Sequence, residues 1–288
     1  GSSATGASGT AGNININDTI TWASGNKLTL SAYNNIYINR SITNTGAGSL
    51  ALEYGQGAVS AGNTSAYAIN APVNLTAGQH FSTKLGSDGA VNAFTVITDL
   101  NALQAINAST ESRSLNYFLG ADIDASATSG WNGGAGFTPI GKGGYTFKGA
   151  FDGGGHTISG LTINRPGENN VGLFGYAEGN KPIANLSLVN ANITGSGYVG
   201  ILAGGANNQI SNVNATGSVT GSGEDVGGLV GHKEGSISNS YATVSVNGYQ
   251  YVGGLVGINI GTISNSYATG SVTGNRFVGG LAGYQKNG

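Results

Sequence analysis

The sequence predicts an all-β chain that folds as a parallel β-helix of some ten coils, because short apolar segments recur in it at a fixed period. Near the carboxyl end, a block that begins Val-Gly returns at steps of 28, 27, 26 and 26 positions. A second block, which begins with Ile, alternates with it at steps of 27, 27 and 26 positions. The Val-Gly blocks begin at Val171, Val199, Val226, Val252 and Val278, and the Ile blocks begin at Ile183, Ile210, Ile237 and Ile263. Two interleaved blocks with one shared period indicate one structural unit per repeat.

Each repeat consists of β-branched and apolar segments of three to six residues that are separated by Gly, Asn and Ser. No apolar spacing of 3.6 residues continues over the length of a helix, so these segments are predicted strands. A repeat of this length, with two or three strands, cannot bury its own apolar face. Stacking of successive units at about 4.8 Å closes a continuous interior, and this arrangement is the parallel β-helix.

The amino-terminal part has a shorter period of 22 positions. Ile14, Ile16, Ile20, Leu28 and Leu30 map onto Ile36, Ile38, Ile42, Leu50 and Leu52. A third copy is displaced by 31 positions, so that Ile38, Ile42, Leu50 and Leu52 map onto Ile69, Val73, Phe81 and Thr83. The nine extra residues fall within Glu53 to Tyr67, a stretch rich in Gly, Ala and Ser that is predicted to be a loop at one corner.

The middle of the chain, about Ala93 to Asn164, is less periodic. Asp99 to Asn107 is predicted to be a short helix or an excursion at the edge, because Asp99 is a suitable cap and Leu100, Leu103 and Ile106 follow it at helical spacing. We therefore expect three segments in one continuous solenoid. These are residues 1–92 with the shorter period, residues 93–165 with irregular coils, and residues 166–288 with the period of 26 to 28 positions.

The composition narrows the possible functions. Charged residues make up 8% of the chain, the net charge is −2, and Lys and Arg are scattered singly, so no nucleic-acid partner is expected. The chain has no Cys, which excludes a disulfide scaffold, a thiolate metal site and a Cys nucleophile, and which permits export. There is no Met and no apolar run of about 18 residues, so we expect a processed chain or part of a longer one, with any targeting segment elsewhere.

Three sets of motifs carry a family resemblance. VGGLVG followed by ISNSYATGSVTG resembles the GLUG repeat. The run from NYFLGADID through FTPIG and FKGAFDGGGHTISGLTIN to VGLFG is similar to the segment that commonly precedes such repeats. NININDTITWASGNKLTLSAYNNIYIN and LALEYGQG are similar to coils of large exoproteins of the filamentous haemagglutinin and high-molecular-weight adhesin type. Together these resemblances cover nearly the whole chain.

The resemblance implies a right-handed β-helix that is exported by two-partner secretion and acts as an adhesin on the outer surface of a Gram-negative bacterium. The implied partners are an outer-membrane pore protein for the parent chain and a glycan or protein receptor. The Asn-Pro-Asn motif of the secretion domain does not occur, so we expect an interior or distal stretch of such a protein. Exposed strand edges at the two ends would favour end-to-end self-association.

Few residues are candidates for chemistry. Asp122 and Asp124 lie two residues apart, as would suit a carboxylate pair or a cation site, but a turn with capping carboxylates is the preferred interpretation. Asp152 and His156 flank three glycines and are interpreted as part of a tight corner and not as an acid and a base. His80 and His232 stand alone in sequence. We therefore expect no catalytic, metal or cofactor site.

The repeats also mark structural and binding candidates. Four Asn residues two positions after the repeated Ile are predicted to stack as an amide ladder, namely Asn185, Asn212, Asn239 and Asn265. Residues that vary just before a Val-Gly block are candidates for a glycan or protein site at a corner, namely Tyr198, Asp225, Tyr249, Tyr251, Arg276 and Phe277. Ordinary corner packing is the alternative for them. Eight glycosylation sequons occur, at Asn17, Asn39, Asn63, Asn74, Asn107, Asn185, Asn192 and Asn214.

Three functional hypotheses remain open at this point. The first is a surface adhesin that binds through the corner residues. The second is a structural spacer in a longer filament or toxin-delivery protein. The third is an enzyme that cleaves polysaccharides, which would need Asp122, Asp124 and Asp152 to converge on one face. One architecture can serve all three functions, so the fold alone does not separate them.

Overall fold

A computed structural model describes residues 12–286, and it confirms the predicted parallel β-helix. Strands make up 50% of it and helices 7%, and the chain makes about nine turns of a parallel β-solenoid, close to the predicted ten. The backbone forms two compact units. The first unit contains the described residues up to Thr98 together with Asn116–Ala121 and Gly154–His156, and the second contains the rest. The three predicted segments, whose outer ends lie beyond the described residues, stay a prediction.

The first unit consists of short strands joined by tight corners. In chain order they are β1 (Ile14–Ile16), β2 (Ile20–Trp22), β3 (Lys27–Ser31), β4 (Ile36–Ile38), β5 (Ile42–Asn44), β6 (Ser49–Tyr54), β7 (Tyr67–Ile69), β8 (Val73–Asn74), β9 (Gly78–Leu85), β10 (Asn92–Ile97) and β11 (Tyr117–Leu119). Three parallel ladders run through successive coils, in the orders β1-β4-β7, β2-β5-β8 and β3-β6-β9. The loop between β6 and β7 lies in the predicted insertion.

The strand register in this unit is the one that the repeats predict. Ile14 pairs with Ile36, and Leu28 pairs with Leu50, at the displacement of the shorter period. Ile38 pairs with Ile69 across the insertion, at the larger displacement of the third copy. Because equivalent apolar residues stack, the interior is a column of aliphatic side chains, in which Ile36 and Ile38 are fully buried.

The first unit departs from pure parallel coiling at β9 and β10. These two strands pair in the antiparallel direction, and Phe94 lies opposite Phe81. The ring of Phe81 also lies 4.1 Å from that of Phe118 in β11, so three aromatic rings fill the interior at this point. The repeat pattern did not predict this reversal.

The second unit contains the helical segments and the regular coils. The short helix α1 (Leu100–Ala105) lies in the segment where a helix or an excursion was expected, and the Asp99 carboxylate accepts a hydrogen bond from the Ala102 backbone amide at 2.9 Å. Two 3-10 segments follow at Ser112–Ser114 and Ser126–Gly134, and the second of them is kinked.

The strands of the second unit fall into three groups around each coil. In chain order they are β12 (Ile123–Asp124), β13 (Phe151–Asp152), β14 (Thr157–Ser159), β15 (Thr162–Asn164), β16 (Phe174–Ala177), β17 (Ile183–Gly195), β18 (Ala203–Ala206), β19 (Ile210–Gly221), β20 (Glu224–Gly227), β21 (Val230–Lys233), β22 (Ile237–Ser238), β23 (Tyr241–Asn247), β24 (Gln250–Gly253), β25 (Val256–Asn259), β26 (Ile263–Ser264), β27 (Tyr267–Thr269), β28 (Val272–Thr273), β29 (Arg276–Gly279) and β30 (Ala282–Gln285). One sheet has the order β16-β18-β21-β25-β30 and another the order β20-β24-β29, while β17, β19 and β23 form the long side.

Both predicted repeat registers are present in the second unit. Ile183, Ile210, Ile237 and Ile263 pair in succession, and so do the Val residues that begin the Val-Gly blocks. Steric crowding explains why the two adjacent residues of the VGGLVG block are glycines. A Cβ on Gly253 would lie 2.0 Å from the Val256 carbonyl oxygen, and a Cβ on Gly254 would lie 2.2 Å from the Gly280 carbonyl oxygen. The turn therefore brings backbone to backbone more closely than any side chain allows.

Apolar residues of the last described coil are exposed. Val278 is 46% and Leu281 is 38% exposed, whereas their equivalents one coil earlier, Val252 and Leu255, are fully buried. End-to-end self-association would cover this face, and it stays a prediction.

The four Asn residues of the predicted ladder all lie at backbone bends. Their φ angles are positive, at 58°, 54°, 49° and 47° for Asn185, Asn212, Asn239 and Asn265. The Asn212 amide donates to the Asn185 Oδ1 atom at 3.2 Å, and the Asn185 amide donates to Asp152. Asn185 is buried, and the other three are exposed. Because Asn tolerates the left-handed region better than other non-glycine residues, the bend is a requirement that all four positions share.

We expect Asn239→Ala to lower the free energy of unfolding by about 1 kcal/mol, because Ala resists a positive φ angle. We expect Asn239→Gly to cost less than the Ala substitution, since Gly adopts this conformation freely. Urea denaturation followed by circular dichroism measures both variants. Equal losses in the two variants would show that stacking of the amide, and not the bend, selects Asn at this position.

A buried lysine lies in the same unit. Lys233 is fully buried in β21, and its ammonium group donates to the Asn208 carbonyl oxygen at 2.6 Å and to that of Ala206 at 3.4 Å. Burial lowers the pKa of Lys233 to about 7, and the nearby Glu234 carboxylate opposes this shift. A neutral amine above that pH is consistent with its apolar surroundings.

The Lys233 pKa predicts a pH dependence of stability. Between about pH 7 and pH 10 the unfolded chain holds a proton that the folded chain releases, so the free energy of unfolding rises with pH across this window. Lys233→Met should remove this slope and give its largest gain relative to the original chain near pH 6. The exposed Lys148→Met is the control, and urea denaturation at several pH values is the measurement. Parallel pH profiles for the original chain and Lys233→Met would contradict the prediction.

Candidate functional site

A column of residues in the left-handed conformation follows one corner of the second unit. Tyr198, Asp225, Tyr251 and Phe277 have φ angles of 55°, 59°, 51° and 51°, and each directly precedes a Val-Gly block. Since the Val residues pair in register, the residues before them are stacked coil over coil. Positive φ angles are uncommon for bulky residues such as Tyr and Phe, and backbone conformations of this kind are found at binding and catalytic sites.

A second column lies on the outward face of the adjoining five-stranded sheet. Register pairs place Tyr176 beside Gly205, Gly205 beside His232, His232 beside Ile258, and Ile258 beside Tyr284. A Cβ on Gly205 would lie 2.5 Å from the Tyr176 ring, so the absence of a side chain at Gly205 lets that ring lie across the neighbouring strand.

The two columns meet through their rings. The Tyr251 and Phe277 rings are stacked, with centroids 5.0 Å apart and planes inclined by 13°, and the Tyr284 ring meets Tyr251 edge-on at 5.8 Å. A corner ring contacts a ring of the second column in the next coil at a second place as well, because the Tyr198 ring lies 5.3 Å from the His232 ring. We call these five residues, Tyr198, His232, Tyr251, Phe277 and Tyr284, the aromatic strip.

A polar group interrupts the aromatic strip. Asp225 is buried, and its Oδ2 atom lies 2.8 Å from His232 Nδ1, while Glu234 Oε1 lies 3.7 Å from His232 Nε2. Burial raises the pKa of Tyr198, and the charges of Asp225 and Glu224 raise it further. The Tyr198 hydroxyl therefore keeps its proton near neutral pH and can donate a hydrogen bond. Asp225 therefore holds the His232 ring, and the exposed Glu234 carboxylate is the acceptor that a ligand can reach. Aromatic rings next to a hydroxyl donor and a carboxylate acceptor suit a ligand that has both C–H faces and hydroxyl groups.

The structure brings together some of the predicted corner residues and adds two that sequence reasoning missed. Tyr198, Tyr251 and Phe277 are in the aromatic strip. Tyr249 and Arg276 are exposed and are not part of the strip. The backbone of Arg276 is in register with that of Gln250 in the small sheet. The two added residues are His232, which stands alone in sequence, and Tyr284, which is not among the residues that vary just before a Val-Gly block. Each lies seven residues after a corner residue, and this spacing could have identified both.

The candidate carboxylates Asp122 and Asp124 bind backbone amides. The Oδ1 atom of Asp122 accepts a hydrogen bond from the Thr157 amide at 2.9 Å, and that of Asp124 accepts one from the Ser126 amide at 2.9 Å. Both carboxylates therefore act as caps within the fold.

The corner residues Asp152 and His156 are both buried. Both Asp152 oxygens accept hydrogen bonds from the Asn185 amide group, and His156 Nε2 lies 3.0 Å from the Val73 carbonyl oxygen. His80 lies half-buried in β9. Over residues 12–286, no group of three or more His, Cys, Asp and Glu side chains is placed to hold a metal ion.

Most of the predicted glycosylation sequons use their side-chain nitrogen inside the fold. The nitrogen donates a hydrogen bond at Asn39, Asn63, Asn74, Asn107, Asn185 and Asn214. Asn17 and Asn192 are exposed, and the side-chain contacts shown for them are made by the oxygen, which accepts from Asn39 and Ser218 respectively. These two are therefore the sequons best placed for modification.

Comparisons with known proteins support the repeats and the fold. The GLUG motif matches residues 222–247 and 248–273, which contain the corners at Asp225 and Tyr251. Halomucin of Haloquadratum walsbyi is 45% identical over 156 residues, which is 52% of this chain and 2% of that protein. A "Putative Gly-rich membrane protein" of Evansella cellulosilytica is 42% identical over 84 residues, which is 28% of this chain and 10% of that protein.

A solved structure shares the fold. The crystal structure described as a "putative immunoglobulin A1 protease" from Bacteroides ovatus matches with a TM-score of 0.56 and 24% identity, over 68% of this chain and 62% of that chain.

None of the helices in residues 12–286 has the length and apolar character needed to cross a membrane. These matches do not identify the chain as a member of the filamentous haemagglutinin type. The chain carries GLUG motif repeats on a parallel β-solenoid, and it spans small parts of the two longer relatives.

Proposed function

We propose that the chain is a segment of a surface-displayed adhesin that attaches to glycans through the aromatic strip. The stacked pair of Tyr251 and Phe277 is the observation that carries this proposal. Aromatic rings bind the C–H faces of sugars, and the Phe277 ring is 57% exposed although it stacks on Tyr251. The exposed Glu234 carboxylate supplies an acceptor for hydroxyl groups. A rigid array of coils holds these rings in place before the ligand arrives, which reduces the entropic cost of binding.

Surface display is part of the same proposal. One relative carries the description of a membrane protein, and both relatives are far longer than the matched segment, as a protein that projects from a cell would be. The chain without Cys is compatible with passage through a pore in the extended state. Export by two-partner secretion to the surface of a Gram-negative bacterium is our proposal from the resemblance of the first coils. It makes the outer-membrane pore a partner of the parent chain.

We also propose that the chain is not an enzyme. The enzyme hypothesis needs carboxylates that are available on one face. Asp122, Asp124 and Asp152 instead accept hydrogen bonds from backbone or amide groups. A spacer without a ligand remains the competing hypothesis.

The test is a binding screen of the purified chain on an array of glycans and host-matrix proteins. We expect selective binding, and at least a tenfold weaker affinity in the double variant Tyr251→Ser, Phe277→Ser. The matched control is Tyr241→Ser, Tyr267→Ser, because these rings are stacked in the same way, 5.0 Å apart at 1°, on the long side of the coil. We expect the control to bind like the original chain.

Two outcomes would overturn the proposal. A folded chain that binds nothing on the array would favour the spacer hypothesis. Equal losses in the two double variants would show that exposed stacked rings bind nonspecifically, so that the aromatic strip is not a defined site.

A further inference from the structure

The second unit also contains a cleft whose lining shares no residue with the aromatic strip. It has a volume of about 510 Å³, within the range of small-molecule sites, and it lies in the non-repetitive part of the chain. Its walls are the loop after α1, the 3-10 segment Ser112–Ser114 and the loop that carries Lys142 and Tyr145. Other lining residues are Asn107, Ser109, Thr110 and Thr138.

The two loops that form the cleft are fixed to each other by hydrogen bonds. The Gln104 side chain donates to the Thr138 carbonyl oxygen at 3.0 Å and accepts from the Thr138 amide at 2.9 Å. The Asn107 side chain donates to the Pro139 carbonyl oxygen and accepts from the Gly141 amide. These two amide side chains position the walls, so the cleft is formed before a ligand binds.

Arg113 provides a buried cation at the cleft. It is 6% exposed, and its guanidinium group donates to the Asn107 carbonyl oxygen at 3.0 Å and to Thr110 Oγ1 at 3.2 Å. Both acceptors are neutral, so these contacts orient the guanidinium group without cancelling its charge. Glu111 is the nearest carboxylate in sequence, and its lowered pKa comes mainly from hydrogen bonds with its own backbone amide and with Ser109, and only then from Arg113.

Tyr145 and Lys142 complete the polar and aromatic lining. The Tyr145 ring is 60% exposed, and the Arg113 guanidinium carbon lies 4.6 Å from its centroid, a cation–π distance. The Lys142 ammonium contacts Glu168, and Arg165 donates to the same Glu168 carboxylate and to Thr138 Oγ1. One carboxylate is thus shared by two cations. The residues that line the cleft include two cations, Arg113 and Lys142, and no carboxylate.

We propose that this cleft binds a carboxylated saccharide, such as a glycan that contains a uronic acid. The carboxylate binds between Arg113 and Lys142, which supply fixed charged donors. The apolar face of the sugar ring packs on Tyr145, and the Ser109, Thr110 and Thr138 hydroxyls meet the sugar hydroxyls. The site is independent of the aromatic strip, because it uses other residues and a charged ligand.

The experiment is isothermal titration of the full chain with trigalacturonate and with its methyl ester, which has the same sugar rings without the charge. We expect the acid to bind, and the ester to bind at least tenfold more weakly. Lys142→Gln and Tyr145→Ser should each weaken binding of the acid by at least tenfold. Lys148→Gln is the matched control, because this exposed lysine also pairs with a glutamate, Glu178, and does not line the cleft.

Three results would overturn the proposal. The first is no binding of the acid by the folded chain. The second is equal binding of the acid and the ester, which would remove the role of the charge. The third is binding of inorganic phosphate as tight as that of the acid and unchanged in Tyr145→Ser, which would mark a simple anion site. Retained binding in the Tyr251→Ser, Phe277→Ser variant would separate this cleft from the aromatic strip.

Discussion

The whole structure depends on the parallel register that places each residue over its equivalent in the next coil. In the regular coils of the second unit this register joins the repeated Val and Ile residues, which are 26 to 28 positions apart, and in the first unit it joins residues 22 or 31 positions apart. Although an outward column holds unlike residues, such as His232 beside Gly205, the positions that build the coil are occupied by residues that can stack on their own kind. Aliphatic side chains do so in the interior, glycines at the tight turns, and Asn at the bends. A shift of one residue would turn the interior side chains outward, which explains why the sequence repeats so strictly.

Much of the fold could be predicted because this register is written directly in the repeats. The pairs Ile14 with Ile36 and Ile210 with Ile237 follow from counting residues. The reversal between β9 and β10 could not be predicted, because it breaks the period and depends on the packing of Phe81 and Phe94. The bends at the Asn positions were also missed, since a stacked amide and a left-handed backbone select the same residue and only the φ angle separates them.

The two proposed sites differ in how they arise and in how visible they are in the sequence. The aromatic strip is periodic, so the corner residues Tyr198, Tyr251 and Phe277 stood out as departures from a repeat. Their ring partners, His232 and Tyr284, lie in a different strand of the coil, so the pattern at the corner does not identify them. The cleft is not periodic. Arg113 and Lys142 are 29 positions apart in the irregular segment, and the side-chain contacts of Gln104 and Asn107 help to bring their loops together. No local sequence motif predicts such a site.

The equivalence of the coils also has a consequence for length. Removing residues 248–273, one matched GLUG segment, would join two chain ends that are chemically interchangeable with those they replace. Each neighbouring coil would contact the same Ile, Val and Gly residues that it contacts now, so the packing of the interior would not change. Recombination between such segments could therefore shorten or extend the protein in whole turns. Such changes would alter the number of coils while the fold of each coil stays the same.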